Sequence, residues 1–337
     1  MTLVIGFALV LLAALLQGTF VLPMTLVRQW SWEHTWATFS LLGMLVFNWI
    51  ITLVLVPNIF AVYSASPARN LEVLVLFGLG WGVGAVLFGL GMDRLGMALG
   101  YPVIMGLIAG LGALIPLLIF FPQALWTTKG LALLAGTAMV IFGIVLCSIG
   151  GSRRTPSEGT STATHSSAFK IGLAVAILAG ILSCLPNVGM AFGGDVINAA
   201  VNLGVSPASA GNTVWALLFT FGFVANLAYC LYLMISKRTL SQYWNRETPR
   251  NLGLSAGMAL MWIGSFYLYG AGATKLGRWG AVAGWPLFIS LSIVMGNLWG
   301  VWRGEWKQAP AVARRSLNQG LLVLIVAVIT VALSNSF

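Results

Sequence analysis

A chain of 337 residues with 17 Lys or Arg, 7 Asp or Glu and 59% hydrophobic side chains is not composed like a water-soluble protein, in which about a quarter of residues are charged. So few charges cannot coat a soluble fold of this size, and so much apolar surface excludes a disordered chain. The net charge of +10 sits in short gaps between apolar runs, a pattern that sets membrane topology and excludes nucleic acid as a partner.

A membrane-crossing helix needs about 20 mostly apolar residues, and ten such runs follow one another along the chain. They cover Leu3–Val27, Thr35–Val56, Leu71–Leu90, Met97–Phe121, Leu131–Gly150, Ile171–Gly193, Ala208–Ser236, Leu252–Ala271, Trp279–Trp302 and Leu317–Ser336. The first run has neither a basic leader nor a cleavage site, so it is expected to remain as a helix rather than leave as a signal peptide. Because lipid cannot satisfy an open sheet edge, and because the runs are continuous rather than alternating, the expected fold class is an all-α integral membrane protein.

Between the fifth and sixth runs, SRRTPSEGTSTATHSSA at Ser152–Ala168 reads as a flexible polar linker. It divides the chain into five-helix halves, 1–151 and 169–337, with 152–168 between them. The halves resemble each other. IGFALVLLAALLQGTFVLPM from Ile5 aligns without a gap on IGLAVAILAGILSCLPNVGM from Ile171. Trp81, Gly89, Gly91, Arg94, Leu95 and Gly96 match Trp262, Gly270, Gly272, Lys275, Leu276 and Gly277 at a constant offset of 181 residues. Five being odd, the second half is expected upside down relative to the first, as in alternating-access transporters with a midplane site between the repeats. Pro23 and Pro186 recur in the equivalent first and sixth helices, and Pro102 and Pro286 near the starts of the fourth and ninth. Each frees a backbone carbonyl that can face a cavity.

Orientation follows from the loops. Those after odd-numbered helices hold 13 of the 17 basic residues, and the others hold Arg69, Lys129, Lys275 and Arg278. The odd loops, the linker among them, are therefore expected in the cytoplasm and both termini outside.

The chemistry is that of a carrier without a cofactor. No GxxxxGK[ST] motif is present. Gly78, Gly80, Gly82, Gly84, Gly106 and Gly110 lie at spacings that suit close helix packing. Cys147, Cys184 and Cys230 are odd in number, widely spaced and apolar in context, which suits neither a disulfide framework nor a metal centre. Clustered His, Asp or Cys residues that would suggest a membrane-embedded enzyme are missing. Of the acids, Glu33, Asp93, Glu158, Glu247 and Glu305 fall in expected loops. Glu72, opening the third helix, and Asp195, just past the sixth, remain as proton-coupling candidates, Asp195 the better of them. His34 is expected at an interface and His165 in the linker, and Trp30, Trp32, Trp36 and Trp126 are expected as interfacial anchors.

The apolar runs instead carry neutral polar and aromatic side chains. Indoles and amides donate hydrogen bonds without charge, and aromatic faces stack on sugar rings. Gln17, Trp81, Tyr101, Asn187, Trp262, Trp285 and Asn297 are the candidate substrate contacts, with Trp81 and Trp262 the best pair because they occupy equivalent repeat positions. The substrate class that suits them is a neutral, hydroxyl-rich small molecule.

Several blocks resemble the L-rhamnose-proton symporter family of the drug/metabolite transporter superfamily. They are WSWE at Trp30–Glu33, PNIFAVYS at Pro57–Ser64, FGLGWGVG at Phe77–Gly84, FGLGMDRLGMALG at Phe88–Gly100, NLAYC at Asn226–Cys230, LMW at Leu260–Trp262 and GVWRGEW at Gly300–Trp306. The resemblance implies a ten-helix secondary transporter in a prokaryotic inner membrane, importing a deoxy-hexose with a proton. The alternative is an exporter of another small neutral or amphipathic metabolite.

Overall fold

The computed structural model describes residues 2–154, 167–277 and 280–334. Among them ten helices are long and apolar enough to cross a bilayer: α1 (Thr2–Leu26), α2 (Trp32–Leu55), α3 (Ala68–Leu95), α4 (Gly100–Phe120), α5 (Thr128–Arg154), α6 (Phe169–Phe192), α7 (Pro207–Ser236), α8 (Thr248–Lys275), α9 (Gly280–Trp302) and α10 (Ala311–Ala332). No strand occurs among the described residues. Most of the linker, with His165, lies outside them; its first residues, Ser152–Arg154, complete α5.

Several helix boundaries differ from expectation. α2 begins at Trp32, three residues early, because Ser31 is extended and anchored: its backbone N–H and its hydroxyl both donate to Gln242 Oε1, at 2.7 and 3.0 Å. Glu33 then falls in the first turn, where the helix dipole favours a carboxylate. Glu33 is therefore a helix residue rather than a loop residue, and both it and His34 are fully buried. Asp93 is likewise within α3. Helical geometry persists through Ala68–Phe120, yet the chain folds back between α3 and α4. A Cβ on Gly100 would stand 3.2 Å from the Gly91 carbonyl oxygen, whereas nine residues of straight helix span about 13 Å.

Prolines interrupt α1 and α6. α1 is α-helical to Thr19 and continues as a 3-10 turn, Leu22–Leu26, that holds Pro23. α6 breaks at Cys184, between segments Ser167–Ser183 and Leu185–Phe192, where Pro186 cannot donate to the ladder. Asp195 lies just past α6, in the first turn of a short helix, Gly194–Asn202.

The described helices gather in two compact units. One comprises Met1–Val83 and Gly189–Lys275, the other Gly84–Val188 and Leu276–Phe337, so each draws on both sides of the linker.

In the first unit α1 packs along α8. A Cβ on Gly272 would come within 2.9 Å of the Gly6 carbonyl and of Val10. α3 and α7 approach through glycine: a side chain at Gly78 would strike the Leu218 backbone, and one at Gly82 would lie 2.9 Å from Gly222 Cα. These are packing glycines, as small-residue interfaces in lipid require. α2 changes from α to π geometry over Leu41–Phe47. The widened turn brings Gly43 against α8, where a Cβ would meet Ala259 at 3.3 Å and Trp262 at 3.4 Å.

In the second unit α5 and α10 form an antiparallel pair. Leu133, Gly136, Val140, Gly143, Cys147 and Gly150 on α5, and Ala313, Leu317, Gly320, Leu324, Ala327 and Val331 on α10, are all buried. Both rows repeat at three and four residues, the spacing of a two-helix seam. Gly136 faces Val331, Gly143 faces Leu324 and Gly150 faces Leu317, while Gly320 leaves room for Cys147. At one end of this pair Arg154 donates to Glu305 at 2.6 Å and stands 5.4 Å above the Trp306 ring.

Candidate functional site

In the first unit, α3 and α8 bring Trp81 and Trp262 face to face. Their ring centroids are 5.9 Å apart and their planes differ by 16°. The approach depends on glycine. Trp81 lies on Gly222, where any Cβ would enter the indole ring, and Trp262 is overlaid by Gly43 of the π segment. Phe219 touches both, at 5.2 Å from Trp81 and 4.7 Å from Trp262. Phe39 meets Trp262 edge-on at 5.6 Å, and Phe266 does so at 5.1 Å.

The polar edge of this cluster comes from α1. Ser265, one turn beyond Trp262, donates to Gln17 Oε1 at 2.7 Å. Three predicted contacts, Gln17, Trp81 and Trp262, thus belong to one constellation. The Nε1 atom of Trp215 is sealed without a partner, but those of Trp81 and Trp262 are not sealed off. Among the described residues the latter two make ring contacts and no indole hydrogen bond.

The second unit holds the other four. Asn187 gives both amide hydrogens to backbone carbonyls, Gly112 at 2.7 Å and Ala281 at 2.8 Å. Trp285 donates to the Ile108 carbonyl at 2.9 Å and packs on Gly112. These two side chains are buried and tie α4, α6 and α9 together within the unit. Tyr101 is half-buried, and Asn297 bonds back to the Ile293 carbonyl of its own helix at 2.9 Å. Neither joins the Asn187–Trp285 arrangement.

The proton-coupling candidates are separate again. Glu72 is exposed. Asp195 is exposed too, and its Oδ2 accepts from Asn70 at 3.0 Å.

This arrangement, a stacked indole pair with an adjacent amide inside a ten-helix protein, can be set beside known proteins. The family model for the L-rhamnose-proton symport protein matches residues 1–336. The chain belongs to the L-rhamnose-proton symport protein family. Relatives named L-rhamnose-proton symporter in Shigella dysenteriae serotype 1 (strain Sd197) and Klebsiella pneumoniae (strain 342) are each 28% identical over 324 residues, covering 94% of both chains. The relative of the same name from Cronobacter sakazakii (strain ATCC BAA-894) is 28% identical over 328 residues, with 94% of this chain and 93% of its own length covered. The family is one of transporters, not enzymes.

Within this rhamnose-proton symport family member, two polar groups come to light only in the fold. The first joins Asn48, Thr52 and Tyr267. Thr52 and Tyr267 share a hydroxyl–hydroxyl bond of 2.6 Å, and Tyr267 donates to Asn48 at 2.7 Å. Asn48 Nδ2 in turn donates to the Met44 carbonyl at 2.9 Å, inside the π segment. Asn48 and Tyr267 are visible in the sequence as mid-membrane polar residues, but only the fold pairs them. The second group surrounds Glu33 and His34. Its signal is present in the WSWE block, yet the apolar run itself begins only at Thr35, which leaves both residues outside the expected helix.

Proposed function

We propose that this protein imports L-rhamnose together with a proton across a bacterial inner membrane by alternating access. The observation that carries the reading is the family match over residues 1–336, supported by the bacterial relatives named as symporters. The two halves act as inverted five-helix repeats of the drug/metabolite transporter type, with odd loops and linker in the cytoplasm. The sugar binds along the edge of the stacked Trp81–Trp262 pair, whose indole N–H groups are the donors, and the Gln17 amide serves ring hydroxyls. Tyr101 and Asn297 are further candidate contacts. Asn187 and Trp285 act by positioning, since their donors are spent on backbone.

Purified protein in proteoliposomes tests this directly. Labelled L-rhamnose should accumulate when an inward proton gradient is imposed and only equilibrate without one. Absence of rhamnose entry under both conditions, with entry of another small metabolite, would overturn the assignment.

A further inference from the structure

Symport needs a group inside the membrane that binds and releases a proton, and Glu72 and Asp195 are exposed. The enclosed ionisable groups of the first unit lie elsewhere. Glu33 is 1% exposed and His34 0%, both in the first turn of α2. The only ion-pair partner of Glu33 among the described residues is Lys237, at 3.3 Å, and that lysine side chain is 53% exposed. That contact is to Glu33 Oε1, which is sealed, and Lys237 also donates to Oε2 at 3.4 Å, so the buried carboxylate rests on this one half-exposed cation. His34 Nε2 lies 2.9 Å from the Thr239 carbonyl, so it carries the hydrogen and leaves the Nδ1 lone pair buried and unmatched. Trp30 Nε1 and Thr239 Oγ1 are sealed and unpartnered nearby. Each such atom costs about 1–3 kcal/mol when buried, and all of them fall at one end of α2. An ionisable group inside a spanning segment is retained against that cost for function.

The same helix reaches the sugar constellation. Thr38 donates to the His34 carbonyl at 2.8 Å, and Phe39, in the next turn, lies against Trp262. A change in charge at the start of α2 therefore acts on a helix that touches the indole pair and then enters the π segment.

We propose that Glu33 is the proton-binding residue of the transport cycle, with Lys237 as counter-ion in its ionised state and His34 Nδ1 as a neighbouring acceptor. This rests on the symport reading given above. In the empty site Glu33 is a carboxylate balanced by Lys237. Protonation makes it a neutral acid and leaves Lys237 unbalanced. Release of that proton to the cytoplasm restores the pair. The other titratable groups around this end are Cys230 and Lys237 of the α7 region and Tyr243, which packs on His34 at 4.8 Å and donates to its carbonyl at 3.1 Å. At the adjoining end of α8, Glu247 and Arg250 pair with each other at 3.2 Å.

The test compares wild type, Glu33→Gln, Lys237→Gln and Asp195→Asn in proteoliposomes. It reads rhamnose counterflow, gradient-driven accumulation and sugar-evoked proton uptake. Glu33→Gln should keep counterflow, which needs no net proton movement, and lose both accumulation and proton uptake. Lys237→Gln removes the counter-ion of the carboxylate, so the pH, set equal on both sides, at which sugar-evoked proton uptake falls by half should move upward; this readout stands if Glu33→Gln fails to insert. Asp195→Asn should couple as wild type does. Wild-type coupling in Glu33→Gln, an unmoved pH profile in Lys237→Gln, or loss of coupling in Asp195→Asn alone overturns the assignment. A wild-type protein that moves no rhamnose instead refutes the symport reading itself.

Discussion

Trp81 and Trp262 stand 181 residues apart in the chain and 5.9 Å apart in space, their ring planes within 16° of parallel. Two residues of similar sequence blocks thus meet as one aromatic surface. The contact is possible because Gly222 and Gly43 leave room for the two indoles.

Replacing either tryptophan by phenylalanine keeps most of the packing and removes the indole donor. Trp81→Phe and Trp262→Phe should each weaken rhamnose binding about tenfold, the equivalent of one lost hydrogen bond, with expression and melting temperature near wild type. Titration calorimetry on the purified variants measures this. Unchanged affinity in both would assign the pair to packing alone.

Asn187 should behave oppositely. Asn187→Leu removes two donors and strands the Gly112 and Ala281 carbonyls, so stability in detergent should fall by about 1–3 kcal/mol. Sugar affinity of the folded fraction should hold. A loss of affinity without a fall in melting temperature would return Asn187 to the set of direct contacts.

Single cysteines at Ser157 and Ser336 report orientation. In intact cells an impermeant thiol reagent should label the second and spare the first, as the 13-to-4 distribution of basic residues requires. The reverse pattern would invert the topology.

Removing about half of the linker should leave uptake close to wild type, provided the remaining residues still span the gap. The expectation comes from its polar, aperiodic composition. Complete loss of uptake in a correctly inserted deletion variant would give the linker a part in transport.

The ten spans are legible in the sequence because apolar runs long enough to cross a bilayer rarely occur outside one. The two tryptophans are legible as members of sequence blocks aligned at one constant offset, while their contact is seen only in the fold. What stays hidden depends on partners far along the chain. The start of α2 is set by Gln242, 211 residues from Ser31, so local sequence alone leaves Glu33 and His34 outside the helix and does not show their burial. Asn187 looks available to substrate until its two carbonyl acceptors are located. The π segment also has no local marker: Leu41–Phe47 reads as ordinary apolar helix, and its widened turn becomes meaningful only with Gly43 against Trp262.

The heptad seam between α5 and α10 has a mechanical consequence. Two helices locked through interleaved small residues along their length resist bending together, as a stave does, and offer few soft torsions. Compliance must then concentrate where hydrogen-bond ladders are already interrupted: the 3-10 turn at Pro23, the π segment of α2 and the break at Cys184. Stiffness is thus distributed unevenly along this chain, and a spin label on α5 should stay at fixed distance from one on α10 while labels flanking Cys184 report the motion.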